Sequence, residues 1–168
     1  MDPAERKLAL RSEMREVRRR IAADHDDRAA RSARIWSRLV ATVTADGTRV
    51  DRVLLFDSLP GEPDTGPWME WCAAQGIDVF VPQVDGPDLR VMPGDRDPGD
   101  LDLVVVPGLA FTPAGGRLGQ GGGHFDRFLP RLREDCIVVG VGFAEQLVDD
   151  VPLEPHDVVL DHVVTDAG

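Results

Sequence analysis

The sequence contains two cysteines, one lysine and no tyrosine among its 168 residues. Cys72 and Cys136 are too few for a disulfide scaffold and lack the spacing of a metal site, so a reducing compartment is expected. No apolar run approaches the ~20 residues that cross a bilayer. The first residues also lack the basic-then-apolar pattern of a secretory signal. These absences argue against a membrane-anchored or disulfide-rich protein, and we expect a cytoplasmic one.

Positive charge is scarce outside the N-terminal part of the chain, and the net charge is -11. Residues 1–38 hold eleven basic and seven acidic side chains, whereas the remainder holds eight basic and 23 acidic ones. A mostly negative surface disfavours nucleic-acid binding, but a local basic helix could hold a phosphorylated small molecule. The length and the 42% hydrophobic content fit a single domain over residues 1–168 with a substantial core. We expect a monomer.

Helical and strand patterns alternate along the chain, with no internal repeat. Helices are predicted at 5–22, from about 26 to 46, at 66–75 and near 122–133. Strands are predicted at 52–56, 77–81, 103–106, 137–141 and 158–164. Residues 82–100 are rich in proline, glycine and aspartate, and only 89–92 suit a short strand there. The alternation favours an α/β fold with a mostly parallel sheet covered on both faces.

A glycine-dense segment between Val106 and Asp126 is the most informative part of the sequence. It follows a buried strand and leads into a predicted helix, and six of the nine residues from 115 to 123 are glycine. Bare backbone N–H groups can approach an anion closely, and a nearby helix N-terminus would help. Arg117 could donate two hydrogen bonds to a phosphate, and Asp126 offers an oxygen ligand to an accompanying magnesium ion. A tight strand-to-helix connection with solvated charges is the alternative.

Several common catalytic patterns are missing. The glycine segment has no Gly-Lys-Ser/Thr ending, and Gly119, Gly121 and Gly123 are spaced G-x-G-x-G rather than as the dinucleotide fingerprint. No Ser-His-Asp or Cys-His signature is present. A site made from backbone amides, cations and magnesium therefore fits the sequence better than one built around a nucleophilic side chain.

These residues resemble the 5-formyltetrahydrofolate cyclo-ligase family, also called 5,10-methenyltetrahydrofolate synthetase. The family's hallmark segments correspond here to residues 107–111, 115–123 and 124–127. A lysine and an arginine four residues apart on the first helix match Lys7 and Arg11, and Lys7 is the chain's only lysine. The remaining matches are Leu59, Pro60, Gly61, Glu62, Asp64, Thr65, Gln146, Pro152, His156, Asp157, Asp161 and Thr165.

The resemblance implies a three-layer, Rossmann-like domain of the sugar-phosphate isomerase/CoA-transferase kind. It also implies an ATP- and Mg²⁺-dependent ligase that converts 5-formyltetrahydrofolate into 5,10-methenyltetrahydrofolate, releasing ADP and phosphate. The formyl oxygen would attack the γ-phosphate, and N10 would then close the ring as phosphate leaves. In phosphoryl transfer of this kind, a protein contributes mainly by aligning the reactants and by neutralising the charge of the phosphates.

The resemblance further implies roles for individual residues. Arg117 and Lys7 would be the catalytic cations, and Asp126 and Asp157 would hold Mg²⁺. The ATP-binding set would be Lys7, Arg11, Arg117, Leu118, Gly119, Gln120, Gly121, Gly122, Gly123, His124 and Phe125. The folate-binding set would be Asp57, Glu62, Gln120, Gly121, Gly122, Gly123 and His124, with Glu62 pairing with the 2-amino and ring N–H groups of the pterin.

The sequence departs from the family pattern in three places. His124 and Phe125 stand where the family usually has two tyrosines, and Gln120 stands where a basic residue is common. Residues 85–102 are shorter than the family's corresponding stretch, which helps to build the substrate pocket. Two alternatives therefore stay open: a non-catalytic relative that binds a nucleotide, a folate or RNA, and, by fold analogy alone, a sugar-phosphate isomerase-like enzyme.

Overall fold

A six-stranded, mostly parallel sheet forms the centre of the fold in the computed structural model, which describes residues 1–155 and 157–168. Its strands lie in the order β3-β2-β1-β4-β7-β8, and only β3 is antiparallel to its neighbour. A separate antiparallel pair, β5 and β6, lies within the glycine-dense segment. The strands are β1 Arg52–Leu54, β2 Asp78–Asp85, β3 Asp88–Met92, β4 Leu103–Val106, β5 Ala110–Phe111, β6 Arg117–Leu118, β7 Ile137–Val141 and β8 His162–Val164.

Two long helices begin at side chains that cap their first turn. Helix α1, Pro3–Ala22, follows Asp2, which exchanges hydrogen bonds with Glu5 in a capping box. Helix α2, His25–Thr44, follows Asp24, whose side chain accepts from the amide of the third helical residue. The other helices are α3 Gly66–Ala74 and α4 His124–Phe128, with short 3₁₀ turns at Pro98–Asp100, Leu129–Arg131 and Ala144–Gln146. No helix in the described part of the chain has the length and apolarity of a membrane span.

Both faces of the sheet are covered, as the sequence predicts. All four residues of β4 are buried, which is the pattern of a strand at the centre of a parallel sheet. One face packs against α2 and α3, with Leu39 and Trp68 buried against Val105. The other face packs against α4, the 3₁₀ turn that follows it and the β5–β6 segment. The predicted α/β class with a mostly parallel, helix-flanked sheet is therefore confirmed.

The region from 82 to 92 differs from the prediction. Strand β2 continues to Asp85, and the chain turns at Gly86 and Pro87 into β3 to form an antiparallel hairpin. Strand β2 pairs with β1 only as far as Phe80, so Pro82 lies where the β1 side of the strand is open and its missing N–H costs no ladder bond. The proline and aspartates therefore mark the end of parallel pairing, not the end of the strand.

The chain after the glycine-dense segment is also less regular than predicted. The helix expected near 122–133 is only α4 and a 3₁₀ turn, because Pro130 cannot continue an α-helix. The strand expected at 158–164 is only His162–Val164. Strands β5 and β6 were not predicted, because strands of two residues are too short to give a periodic pattern.

Candidate active site

A cavity of about 520 Å³ lies at the carboxyl ends of β1 and β4. In open α/β sheets this edge is where ligands usually bind, because the loops that follow parallel strands meet there. Described residues from five segments form its walls: α1, the loop after β1, the β2–β3 hairpin, the glycine-dense segment, and the stretch before β8 that holds Glu154 and Asp157. The predicted site residues that line it are Lys7, Arg11, Asp57, Glu62, Arg117, Gly119, Gln120, Gly121, Gly122, Gly123, His124, Phe125, Asp126 and Asp157.

Leu118 is the exception among the predicted site residues. Its side chain is buried in a small apolar cluster with Met14, Leu109 and Val151 and does not line the cavity. Successive side chains of a strand point to opposite sides, so Arg117 in the cavity places Leu118 in the core. The Leu118 side chain therefore has a packing role, and the assignment of Leu118 to ATP binding, which the resemblance implies, stays a prediction.

Residues 119–123, which we call the glycine loop, present their backbone to the cavity. Gly121 and Gly123 have φ values of +109° and +71°, which side-chain-bearing residues rarely adopt. Among the described residues, no backbone carbonyl or side chain accepts a hydrogen bond from any of the five amides of the glycine loop. These N–H groups are therefore available to a ligand, as in other anion-binding loops.

Arginine side chains hold the carbonyl groups of the glycine loop. Arg11 Nε donates to the Gly119 oxygen at 3.0 Å, and Arg15 Nη2 donates to the Gln120 oxygen at 3.3 Å. From the other side, Arg127 Nη2 donates to the Gly122 oxygen at 2.7 Å. With its oxygens engaged by cations, the loop is fixed without using its amides. Arg11 therefore both lines the cavity and holds the loop.

Arg117 lies beneath the glycine loop, and its side chain is only 10% exposed. Its Nε donates to the Pro107 oxygen at 2.6 Å, and its guanidinium lies over the Phe125 ring, 5.0 Å from the centroid. Burial lowers the pKa of Arg117 to about 10, while Asp126 and Glu62 oppose that shift, so it stays a cation at neutral pH. Phe125 therefore supports the guanidinium with its ring face.

Lys7 and the carboxylates of Asp126, Glu154 and Asp157 also line the cavity. Lys7 Nζ lies 3.8 Å from Glu154 Oε1, and the Glu154 amide donates to Asp157 Oδ2 at 2.7 Å. Asp126 Oδ1 lies 3.9 Å from Arg117 Nη1. His156, which belongs to the family match, lies outside the described residues.

The carboxylates that line the cavity fit a magnesium ion only if a bound ligand supplies further oxygen atoms to it. Over residues 1–155 and 157–168, no three His, Cys, Asp or Glu side chains cluster as a metal site would require. Magnesium is usually bound by one or two carboxylates plus substrate phosphates, so Asp126 and Asp157 suit an ion that arrives with a nucleotide.

Glu62 lines the part of the cavity formed by the loop after β1, with its side chain 8% exposed. Its Oε1 accepts from the Leu59 amide at 2.8 Å, and Arg28 holds the loop by donating to the Glu62 carbonyl oxygen at 2.8 Å. Burial raises the pKa of Glu62, against the opposing effects of the Leu59 amide and of Arg18, Arg117 and Arg28. Asp57, predicted beside it, is an exposed residue at the cavity wall.

Sequence reasoning missed two parts of this site. Arg18 lines the cavity, and its spacing from Lys7 and Arg11 (i, i+4, i+11) places all three on one face of α1, a signal that was readable. The β2–β3 hairpin, for which the sequence predicts strands only at 77–81 and 89–92, forms an apolar wall with Pro82, Val84 and Leu89.

The hairpin is joined to α4 at its turn. His124 Nε2 lies 3.1 Å from the Gly86 oxygen, and Arg127 Nε donates to the Pro87 oxygen at 2.7 Å. Arg127 thus contacts both the hairpin turn and the glycine loop. Sequence patterns do not predict this wall, because it forms where segments distant in sequence pack together.

Comparison with known proteins points to one family. The model of the 5-formyltetrahydrofolate cyclo-ligase family matches residues 87–166. The 5-formyltetrahydrofolate cyclo-ligase of Escherichia coli K12 is 37% identical over 144 residues, covering 67% of this chain and 76% of that protein. The mouse 5-formyltetrahydrofolate cyclo-ligase is 25% identical over 191 residues, covering 94% and 92%.

Other matches are shorter or more distant. The Mycolicibacterium smegmatis 5-formyltetrahydrofolate cyclo-ligase is 42% identical, but the match spans 34% of that protein and 40% of this chain. A 5,10-methenyltetrahydrofolate synthetase from Mycoplasma pneumoniae has a similar fold, with a TM-score of 0.84 at 24% identity, covering 95% of this chain and 98% of that one.

Proposed function

The chain belongs to the 5-formyltetrahydrofolate cyclo-ligase family, and we propose that it uses Mg²⁺ and ATP to convert 5-formyltetrahydrofolate into 5,10-methenyltetrahydrofolate. The observation that carries the proposal is one cavity lined by two chemically different sets of groups. Five unengaged amides and the cations Lys7, Arg11 and Arg117 suit a triphosphate. The buried carboxylate of Glu62, beside apolar walls, suits a heterocycle with N–H donors.

At the phosphate end, the chain contributes fixed dipoles and charges. The glycine-loop amides would donate to phosphate oxygens, and Arg117 would donate the N–H groups that Pro107 does not use. Asp126 and Asp157 would hold Mg²⁺, which supplies charge neutralisation and alignment of the β- and γ-phosphates when bound. Phosphoryl transfer needs this positioning more than it needs a nucleophilic side chain.

At the folate end, Glu62 would accept hydrogen bonds from the 2-amino group and the ring N–H of the pterin. Phe56, Leu89 and Val84 would contact its apolar faces. This arrangement directs the formyl group toward the phosphate end. The formyl oxygen then forms a bond to the γ-phosphorus as the bond to the β–γ bridging oxygen breaks and ADP leaves.

Ring closure completes the proposed reaction. N10 attacks the activated formyl carbon and loses its proton, and the carbon–oxygen bond breaks to release phosphate. The oxygen of a formyl amide is a poor leaving group until it is phosphorylated, which is why the reaction consumes ATP. The chain's contribution to this step is to hold the two rings so that N10 and the carbon are adjacent.

The decisive experiment combines the purified protein with Mg-ATP and 5-formyltetrahydrofolate. The expected result is growth of the methenyl absorbance with one ADP released per methenyl product, and no growth when ATP is left out or EDTA is added. Binding of both compounds without turnover would favour the non-catalytic alternative. Failure to bind either compound would contradict the proposal as a whole.

A pH dependence follows from the buried position of Glu62. Only its carboxylate form accepts from both pterin donors, and burial places its pKa above the ordinary value of 4.5. Affinity for 5-formyltetrahydrofolate should therefore weaken by about tenfold per pH unit below that raised pKa. Glu62→Gln should bind more weakly at neutral pH and lose this dependence, as measured by calorimetry between pH 4 and pH 7.

The same shift has the opposite sign for folding. A carboxyl whose pKa is raised in the folded state binds its proton more tightly there than in the unfolded chain, so protonation of Glu62 stabilises the fold. Loss of binding on acidification would thus not arise from unfolding caused by Glu62. An identical pH profile for the wild type and Glu62→Gln would contradict the assigned role.

A further inference from the structure

Arg18 lines the cavity without a hydrogen-bond partner in the described part of the chain. Its side chain is 9% exposed, and its nearest acidic contact is Glu62, with Nη2 3.7 Å from Oε2. That distance is beyond a direct hydrogen bond. A guanidinium has five N–H donors, so those of Arg18 that face the cavity can bind acceptors of a ligand.

The position of Arg18 is fixed by backbone contact rather than by hydrogen bonds. Gly61 packs so closely on α1 that a Cβ at position 61 would lie 2.8 Å from Arg18 Cβ and 2.9 Å from the Arg18 carbonyl oxygen. Through this contact, α1 and the loop that carries Glu62 hold the guanidinium and the carboxylate side by side. The cavity therefore contains an adjacent donor and acceptor, both more than nine-tenths buried.

An adjacent donor and acceptor match one edge of the proposed substrate. A pterin presents, in order along its pyrimidinone edge, the 2-amino group, the N3–H donor and the C4 carbonyl acceptor. Resting on the function proposed above, we propose that Arg18 is a substrate-binding residue that donates to the C4 carbonyl oxygen while Glu62 accepts from N3–H and the 2-amino group. Arg18 thereby selects a 4-oxo over a 4-amino ring.

The phosphate end is the other place where Arg18 could act, but its position on α1 argues against it. Arg11 and Arg15 contact the glycine loop. Arg18 lies seven residues beyond Arg11, roughly 10 Å farther along the helix axis. Its contact is the carboxylate of Glu62, not the glycine loop, and a carboxylate next to it would repel a phosphate.

The test compares two ligands on two proteins. Calorimetry measures the Kd of 5-formyltetrahydrofolate and of its 4-amino-4-deoxy analogue, which has a donor in place of the C4 acceptor. Arg18→Met should weaken binding of the 4-oxo ligand by about 10- to 100-fold, the worth of a hydrogen bond to a charged group. Binding of the 4-amino analogue, weak in the wild type, should change by less than about threefold.

A purely structural role would give a different pattern, because weakening the pocket would reduce affinity for both ligands equally. Equal losses, or a selective loss of Mg-ATP binding, would overturn the proposal. Arg20→Met, on the exposed face of the same helix, is the matched control and should change neither Kd.

Two further comparisons keep the test decisive. If Arg18→Met fails to fold, Arg18→Lys replaces it: it keeps the charge, shortens the reach, and should still reduce preference for the 4-oxo ligand. If the wild type converts 5-formyltetrahydrofolate but the variant keeps the same preference for the 4-oxo over the 4-amino ligand, the role of Arg18 is contradicted and the proposed function is not. If the wild type neither binds nor converts 5-formyltetrahydrofolate, both are contradicted.

Discussion

Replacing Arg117 with methionine is expected to lower kcat/KM for the ligase reaction by roughly 10³-fold while the protein stays folded. Arg117 is held in place by Pro107 and Phe125, and its remaining N–H groups lie beneath the glycine loop. There it can neutralise the charge that develops on the transferred phosphoryl group. Methionine keeps an unbranched, apolar side chain for packing against Phe125 but supplies neither charge nor donors.

The measurement is methenyl formation at saturating Mg²⁺, with ADP release followed in parallel. Arg49→Met is the matched control, because Arg49 is 86% exposed and forms an ion pair with Asp51, two residues away. Circular dichroism and the urea midpoint report whether each variant is folded. Activity within a few-fold of the wild type in a folded Arg117→Met protein would remove Arg117 from the reaction.

Substitution of Gly121 by alanine is the second large effect, with turnover expected to fall by about 100-fold, comparable to the loss of one hydrogen-bond donor from an oxyanion site. Gly121 has φ +109°, and an added Cβ would meet only Arg11 side-chain atoms, the nearest at 3.7 Å. The folded loop thus has space for the methyl group. The added methyl group would occupy the space that a phosphate needs to approach the amides of the loop, so the KM for ATP should rise.

A matched control separates backbone strain from site chemistry. Gly47 also has a positive φ, +79°, and nothing lies within 4 Å of a Cβ built there. Gly47→Ala and Gly121→Ala should each lose about 1–3 kcal/mol in the free energy of unfolding, measured by urea denaturation. Only Gly121→Ala should lose turnover. Equal activity in the two variants would mean that the glycine loop does not contact the nucleotide.

Local sequence signals predict much of the sheet and one end of the site. Strands β4 and β7 are continuous apolar runs with unambiguous ends, and their predicted bounds are the observed ones. Of the six glycines at 115–123, which predict a loop with exposed amides, Gly119 and residues 121–123 line the cavity, whereas the amides of Gly115 and Gly116 donate to Thr112 between β5 and β6. These features depend on neighbours in sequence, which is why a pattern can reveal them.

Other features depend on which distant segments meet, and sequence patterns do not carry that information. Pro82 and Asp85 are typical of a loop, yet pairing with β3 makes them part of a strand and of a cavity wall. Leu118 was assigned to the site because the family motif includes it, whereas strand alternation turns it into the core. Arg18 is buried where the loop that carries Gly61 and Glu62 packs on α1.

The contact between Gly61 and the backbone of α1 sets the distance between the helix and the loop where the pterin is proposed to bind. With no side chain at position 61, the loop lies so close to α1 that an added Cβ would lie 2.8 Å from Arg18 Cβ. Any larger residue at this position would push the loop away from α1 and separate the Glu62 carboxylate from the Arg18 guanidinium. Redesign of the protein for bulkier heterocycles would therefore start at position 61, where a single methyl group changes the distance between the helix and the loop.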